Sequence, residues 1–269
     1  MQVRKEPFPV YRRMAGLNWS TFKHAAEAAS WARYKAKNPP EGSAIGRATH
    51  CLALDKPAFA GEFAVSPFDS FRTKEAREWK AQRLAEGVDV ISLDEFETAS
   101  MLAHRLNENP RFKSIIADAL TEVSVYSSMM VGDGLVDVKC RFDILKTWPN
   151  GEVWGVDLKT CGSLTPREFC RVEARKHHYL AQGAFYSDCH GSVDRWLWCC
   201  INEKTGDVFW VVPSDEQLEA GRNIYRRALD KYVTAQRTGI WSGAVSDTEF
   251  FPAEFPEWYL EGSDGGDDE

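Results

Sequence analysis

Three consecutive strand patterns in the middle of the chain constrain the fold more than any other feature. Residues 122–130, 135–148 and 152–160 are rich in β-branched and aromatic side chains and alternate apolar with polar positions, which is typical of half-buried strands. A Gly-Asp-Gly turn at 132–134 and a Pro-Asn-Gly turn at 149–151 separate them, and both are strong hairpin signals. The sequence therefore predicts an antiparallel meander.

Helical patterns flank this meander. Upstream, a helix capped by Asn18 or Ser20 is predicted to run to Asn38. The other predicted elements are helices at 43–55, 72–86, 93–107, 167–188 and 215–238, and strands at 195–203 and 208–214. This order favours the α/β class, with a central mixed β-sheet flanked by helices. We expect a single domain over residues 1–258, followed by an acidic disordered tail at 259–269.

The charge distribution leaves nucleic acid open as a partner. The formal net charge is −7, but the last nine residues contain five acids, so the rest of the chain carries about −2. Basic residues concentrate in the first 36 positions and again between Arg72 and Arg83. A DNA-binding channel needs only a local positive field, so overall acidity does not exclude it.

Cysteine use and hydropathy indicate a cytoplasmic protein. The seven cysteines form no CxxC pair, which argues against a zinc ribbon and a secreted disulfide framework. No apolar run approaches the roughly 18 residues that a membrane span requires. The N-terminal segment carries charge without an apolar stretch behind it, so no secretory signal is predicted.

The strand register of the second hairpin, which is formed by the strands on either side of the turn at 149–151, brings carboxylates together. If its turn is centred on Asn150, Asp143 lies opposite Asp157 and Arg141 lies opposite Lys159. Alternation then places Asp143, Asp157 and Lys159 on one face of the sheet. The opposite face, which we expect in the core, would carry Phe142, Ile144, Val156 and Leu158.

Two directly opposed carboxylates destabilise a sheet unless a positive charge lies between them. Mg²⁺ or Mn²⁺ would supply that charge, since both prefer oxygen ligands. The first hairpin would add Glu122 to the same face, and Lys159 would orient or deprotonate a water molecule. Spacing alone leaves an alternative open, in which Arg141 and Lys159 neutralise the aspartates on a solvated surface.

The polar positions of this hairpin resemble a known signature. Asp143 followed by Asp157-Leu158-Lys159 resembles that of PD-(D/E)XK nucleases, with Phe-Asp in place of Pro-Asp. The helical segments GRATH (46–50) and QGAFY (182–186) resemble the His and Q-x-x-x-Y motifs of RecB-like nucleases. Segments such as GRATHCLALD, EVSVY, CRFDIL and YLAQGAFY most resemble RecE (exonuclease VIII)-type phage recombination exonucleases, over roughly residues 18 to 190.

This resemblance implies a PD-(D/E)XK, restriction-endonuclease-like fold and a metal-dependent exonuclease. Such an enzyme digests linear double-stranded DNA from 5′ to 3′ and leaves 3′ single-stranded overhangs for recombination by single-strand annealing. The implied partners are a homo-oligomeric ring (trimer or tetramer) and an annealing protein like RecT or Red-beta. The implied setting is the cytoplasm of a bacterial host, with the gene carried by a phage or prophage and no membrane association.

The resemblance also implies roles for individual residues. Asp143 and Asp157, with the Leu158 carbonyl, would ligate two Mg²⁺ (or Mn²⁺) ions together with His50. Lys159 would position the attacking water, and Glu122 is a further acidic member. On the downstream helix, Gln182 and Tyr186, with Tyr179 a turn earlier, would hold the DNA backbone or Lys159. Further DNA contacts are predicted at Ser20, Lys23, Arg47, Arg72 and Lys74.

Other readings of the same motifs remain open. One reading keeps the fold but assigns a different activity, that of a RecB- or Cas4-like nuclease of other polarity or of an endonuclease. Iron–sulfur versions of that class need four suitably placed cysteines, which the late cysteines here do not match. Another reading is a non-catalytic DNA-binding protein on the same fold, and a third is a purely structural metal site.

Overall fold

The structure, a computed structural model, describes residues 1–38, 42–245, 248–250, 252–255 and 257. The predicted acidic tail at 259–269 therefore lies outside the described residues. Within them, no helix is both long enough and apolar enough to cross a membrane.

The strands follow the predicted meander, with additions at both ends. Eight strands occur in the described residues: β1 (Gln2–Lys5), β2 (Phe63–Val65), β3 (Asp89–Ile91), β4 (Leu120–Val131), β5 (Gly134–Thr147), β6 (Val153–Cys161), β7 (Arg195–Asn202) and β8 (Val208–Val211). Six of them form one sheet in the order β1-β4-β5-β6-β7-β8. Its β6–β7 pair is parallel and its other pairs are antiparallel, so the predicted mixed sheet is confirmed. Strands β2 and β3 form a separate parallel pair.

Helices pack against both faces of this sheet. In chain order they are α1 (Phe8–Arg13), α2 (Trp19–Phe22), α3 (Ala29–Lys37), α4 (Ala44–Leu54), α5 (Phe59–Glu62), α6 (Lys74–Ala85), α7 (Leu93–Glu108), α8 (Pro110–Ile116), α9 (Pro166–Phe169), α10 (Tyr179–His190) and α11 (Asp215–Thr238). Local signals set several ends. The Asn18 side chain accepts a hydrogen bond from the Thr21 amide, Ser43 caps α4, and a capping box opens α11 at Ser214.

Two predicted helices are interrupted. The helix expected from Asn18 to Asn38 breaks at Ala28, which is extended (φ −152°, ψ 145°). Buried alanines on both sides of the break, Ala25 and Ala32 among them, let the two pieces pack closely against α11. The helix expected at 167–188 contains a π-helical turn, Cys170–Ala174, and a left-handed residue, His178 (φ 54°). These breaks are fixed by packing, which propensity cannot anticipate.

The sequence analysis also missed six short elements: β1, α1, α5, β2, β3 and α8. All four residues of β1 are exposed, so the strand lacks an apolar pattern and is held by its pairing with β4. Elements this short depend on partners distant in the chain, and a local pattern cannot reveal those partners.

The core divides between the two faces of the sheet. One cluster includes Phe142, Phe185 and Trp196 and lies beneath α10 and α11. The other includes Ile144 and Val156 and packs against α7 and α8. The prediction that Phe142 shares a face with Ile144 is therefore wrong. The side chains of β5 change sides at Asp143, where the ladder to β4 is irregular.

Candidate active site

Strands β5 and β6 separate at the predicted carboxylates. Their ladder runs from the turn to the pair Ile144–Val156, which is the predicted register. Beyond that pair the ladder ends. The next pair would be Asp143 and Asp157, and these are not joined through the backbone. Instead, the Leu158 amide donates a hydrogen bond to Asp143 Oδ2 (2.8 Å). A side-chain oxygen thus takes the place of a strand carbonyl, and the predicted pairing of Arg141 with Lys159 does not form.

Glu122 meets Asp143 from the other neighbouring strand. The β4–β5 ladder skips this pair, and Glu122 has a left-handed backbone (φ 54°). Non-glycine residues adopt that conformation at a cost of about 1–2 kcal/mol, and such strain clusters at functional sites. Side-chain oxygens of Glu122 and Asp143 and a nitrogen of His50 all lie within 4.8 Å of one another, and this is the group of potential metal donors in the described residues.

His50 reaches this group because α4 lies unusually close to β6. A Cβ on Gly46 would come within 2.8 Å of Thr160 Oγ1, so glycine permits the approach. One turn later on α4, His50 Nδ1 lies 3.5 Å from Asp143 Oδ2. Gly46 therefore allows the position of His50, which was the residue predicted to ligate a metal.

Lys159 and Asp157 form a buried ion pair on the α10 side. Lys159 Nζ lies 2.7 Å from Asp157 Oδ2, with side-chain exposures of 17% and 6%. Gln182 joins both, because its Nε2 donates to Asp157 Oδ1 (3.1 Å) and its Oε1 accepts from Lys159 Nζ (3.4 Å). The Tyr179 ring centroid lies 4.4 Å from the same ammonium group. The low exposure does not match a solvated surface, although Lys159 does neutralise Asp157 as that alternative supposed.

The electrostatics of the group favour a cation. Burial raises the pKa of Asp143 well above its usual value, and the negative charges of Asp157 and Glu122 raise it further. Burial lowers the pKa of His50, which favours the neutral imidazole with a lone pair for a metal. Burial alone would lower the pKa of Lys159, but Asp157 and other neighbours raise it above its usual value, so the amine is charged at neutral pH.

A divalent cation fits this donor set. Carboxylate oxygens suit Mg²⁺ and Mn²⁺, and one imidazole is compatible with Mn²⁺ in particular. Beyond the effect of burial, the charges of Asp157 and Glu122 raise the pKa of Asp143, and a bound cation would relieve that repulsion. Asp143, Glu122 and His50 would hold it, with Asp157 and the Leu158 peptide group adjacent.

Two participants were not identified from sequence. Arg141 was expected opposite Lys159, but its Nε lies 2.8 Å from Glu122 Oε2 and its Nη1 donates to the Glu6 carbonyl (2.8 Å). It therefore holds Glu122 and ties the N-terminal strand to the site. Glu62, on α5, lines the same cleft. Its pKa is raised by burial and then by Glu122, and no local motif marks this residue.

The site opens into a cleft of about 1230 Å³, larger than the roughly 300–1,000 Å³ of small-ligand pockets. The predicted DNA contacts that line it are Ser20, Lys23, Arg47 and Tyr179, together with Gln182 and Tyr186. Arg47 is already paired with Asp89 (2.9 Å), and the Tyr186 ring packs against Phe142 and Trp196. Arg72 and Lys74 are exposed and lie outside the residues that line this cleft.

A mixed sheet whose central strands separate at an aspartate and an Asp-x-Lys motif, with a helical histidine beside them, defines a PD-(D/E)XK-type domain. Residues 18–243 match the family described as PDDEXK-like domain of unknown function (DUF3799), and the chain belongs to that family. The predicted superfamily and fold are confirmed. No curated protein matches the chain.

A solved structure shares this fold at low sequence identity. A crystal structure from Eubacterium rectale at 2.19 Å resolution, of a protein described as "Putative exonuclease", is 12% identical and covers 93% of each chain, with a TM-score of 0.56. The structure of SSO0001 is 17% identical and covers 67% of this chain and 84% of that one. Its TM-score of 0.36 is too low to support an argument.

Proposed function

We propose that this chain is a divalent-metal-dependent exonuclease that digests linear double-stranded DNA from 5′ to 3′ and leaves 3′ single-stranded overhangs. The observation that carries the proposal is that a potential metal site and a buried ion pair lie side by side in one cleft. His50, Glu122 and Asp143 form the potential metal site, and the Asp157–Lys159 pair lies beside it. The polarity and the role in recombination rest on the RecE-like segments of the sequence.

Different residues of the chain would have different roles in phosphodiester hydrolysis. When bound, two divalent cations (Mg²⁺ or Mn²⁺) activate water and offset charge at the phosphate. Lys159 would place a fixed positive charge where negative charge develops on the phosphate oxygens. Gln182, bonded to Asp157 and Lys159, would hold both in one geometry, and Lys23 and Arg47 at the cleft wall would contact the DNA backbone.

The same proposal extends to partners and setting. A homo-oligomeric ring, as a trimer or tetramer, would keep the DNA enclosed between successive cuts. A RecT- or Red-beta-like protein would anneal the 3′ strands, in the cytoplasm of a bacterium that carries the gene on a phage or prophage.

The test follows digestion of a linear duplex labelled separately at its 5′ and 3′ ends, beside a closed circular control. With Mg²⁺ or Mn²⁺ we expect early release of the 5′ label, an intact circle and no reaction in EDTA. The double variant Asp143→Asn/Asp157→Asn should be inactive while it still binds DNA. Cutting of the circle would favour an endonuclease on the same fold, and inactivity with every divalent metal would favour a non-catalytic DNA-binding protein.

A further inference from the structure

Helix α3 exposes an aromatic pair that the candidate site does not use. Trp31 and Tyr34 lie one helical turn apart and stack with ring centroids 5.1 Å apart at an interplanar angle of 5°. Their exposed fractions are 40% and 53%. Large aromatic side chains are seldom this exposed in adjacent pairs without a partner to cover them. Tyr34 has no other ring contact in the described residues, so the stack is open to a further ring.

Basic residues accompany this pair on α3. Lys35 Nζ lies 4.7 Å from the centroid of the Trp31 ring, and Arg33 and Lys37 are also exposed on the same helix. Helix α3 contains no acidic residue. Glu27, just before the helix, lies close to His24 (4.0 Å) and His178 (3.6 Å). The surface therefore combines flat rings with excess positive charge.

The aromatic pair is connected to the cleft. His24 contacts the Trp31 ring edge-on, with centroids 6.4 Å apart, and the preceding residue, Lys23, lines the cleft. Burial lowers the pKa of Lys23, and the positive charges of Lys159 and Lys35 lower it further. Lys23 thus lies near enough to both Lys159 and Lys35 to be repelled by each of them. A phosphate chain would relieve that repulsion.

We propose that Trp31 and Tyr34 form a stacking platform for single-stranded DNA, which follows Lys23 and Lys35 out of the cleft. Bases stack on exposed aromatic rings without regard to sequence, and cations beside the rings track the backbone. A base placed on Tyr34 would extend the existing stack to three rings. The proposal rests on the proposed nuclease function, because a nuclease that degrades one strand of a duplex must release the other strand beside its site.

The chain's own C-terminal segment is the competing occupant. After α11, the Ser242 carbonyl accepts a hydrogen bond from the Ser30 amide, and Trp241 packs on Arg33 (5.6 Å). That segment therefore reaches α3, but neither of these contacts involves Trp31 or Tyr34. The excess positive charge and the connection to the cleft favour DNA as the occupant.

The test measures binding of a fluorescein-labelled dT12 oligonucleotide by anisotropy, using the full-length chain in EDTA so that no cleavage occurs. Trp31→Ala/Tyr34→Ala should weaken binding by about tenfold or more. Trp31→Phe/Tyr34→Phe retains the rings and should stay within about threefold. Leu135→Ala removes an even more exposed apolar side chain (69%) from the β4–β5 hairpin and should bind like wild type.

Three further readouts identify what occupies the surface. A 12-base-pair duplex should be affected no more than about twofold by the alanine pair, because its bases are already stacked. The slope of affinity against salt should be unchanged in the alanine pair but reduced in Lys35→Ala. The quenching of tryptophan fluorescence by dT12 should be smaller in Trp31→Phe than in wild type.

Several results would overturn the platform. These are unchanged dT12 binding in the alanine pair, an equal loss for the duplex, and binding that appears only after deletion of residues 259–269, which would assign the surface to the tail. The outcome is separable from that of the proposed function. Binding is measured without metal, whereas the nuclease proposal fails only if the metal-loaded chain does not cut DNA.

Discussion

The two ends of the β5–β6 hairpin differ in how their backbone groups are satisfied. Near the turn, Lys146 pairs with Trp154 and Thr147 pairs with Val153 in a regular antiparallel ladder. At the other end, Asp143 and Asp157 do not pair with each other in the ladder, and the Leu158 amide is bonded to the Asp143 carboxylate instead. One hairpin therefore contains a closed end held by main-chain bonds and an open end held by side chains.

This difference explains where the site forms. In a closed ladder, every strand amide and carbonyl is hydrogen-bonded to a neighbouring strand. Side chains then cannot reach between the strands. At the open end, helices α4 and α10 can each bring a side chain, His50 and Gln182, into the gap between the strands. We expect substitutions at the open end to remove activity with little loss of stability, and substitutions at the closed end to do the reverse.

Lys159→Ala should have the largest effect, a loss of cleavage rate of about 10³-fold, since it removes the fixed charge nearest the reacting phosphate. Metal binding should persist, because His50, Glu122 and Asp143 remain. Initial rates on labelled linear duplex and calorimetric titration with Mn²⁺ measure the two quantities. Lys113→Ala, which breaks an exposed ion pair with Glu108 (3.4 Å), is the matched control. Loss of Mn²⁺ binding in Lys159→Ala would show that the lysine organises the metal site.

Gly155→Ala tests the closed end. Its new Cβ would lie 2.8 Å from Trp196 and 3.0 Å from Phe142, and both rings are fully buried. Overpacking of this kind should lower the free energy of unfolding by about 1–3 kcal/mol, measured by urea titration. The rate per folded molecule should change little. Gly61→Ala, where nothing lies within 4 Å of the added Cβ, should stay within about 0.5 kcal/mol of wild type. Equal stability of the two variants would contradict the prediction.

Gln182→Ala should lower the cleavage rate by about tenfold, since Asp157 and Lys159 lose the amide that joins them. The free energy of unfolding should fall by no more than about 1 kcal/mol, because two hydrogen bonds at a partly open site are lost. Gln82→Ala removes an exposed hydrogen bond to Glu86 and should change neither quantity. A wild-type rate in Gln182→Ala would mean that the ion pair keeps its geometry unaided.

His50→Asp should have the smallest effect, on metal preference. The substitution replaces the imidazole with oxygen, which should lower the ratio of the Mn²⁺-supported rate to the Mg²⁺-supported rate by about fivefold. Rates at saturating concentrations of each metal measure this ratio. His104→Asp, at an exposed position on α7, should leave the ratio unchanged. If both variants behave alike, His50 does not contact the metal.

Much of the fold could be predicted because its signals are local. The boundaries of α11 match the predicted 215–238, since a capping serine, an amphipathic pattern and a terminal glycine all lie within the segment. The β5–β6 register follows from the position of one turn. The breaks at Ala28 and His178 could not be predicted, because each accommodates contacts with residues far away in the chain.

The amino-acid sequence by itself determined the meander, its register and the pair Asp143 and Asp157 beside Lys159, because hairpin turns and alternation act over a few residues. Only the tertiary structure decided where the strands separate, that Phe142 turns to the opposite core from Ile144, and that Arg141 holds Glu122. It also placed Glu62 in the cleft and left Trp31 and Tyr34 exposed on α3. Such contacts join residues distant in the chain, and their positions follow from packing of the whole domain rather than from any local pattern.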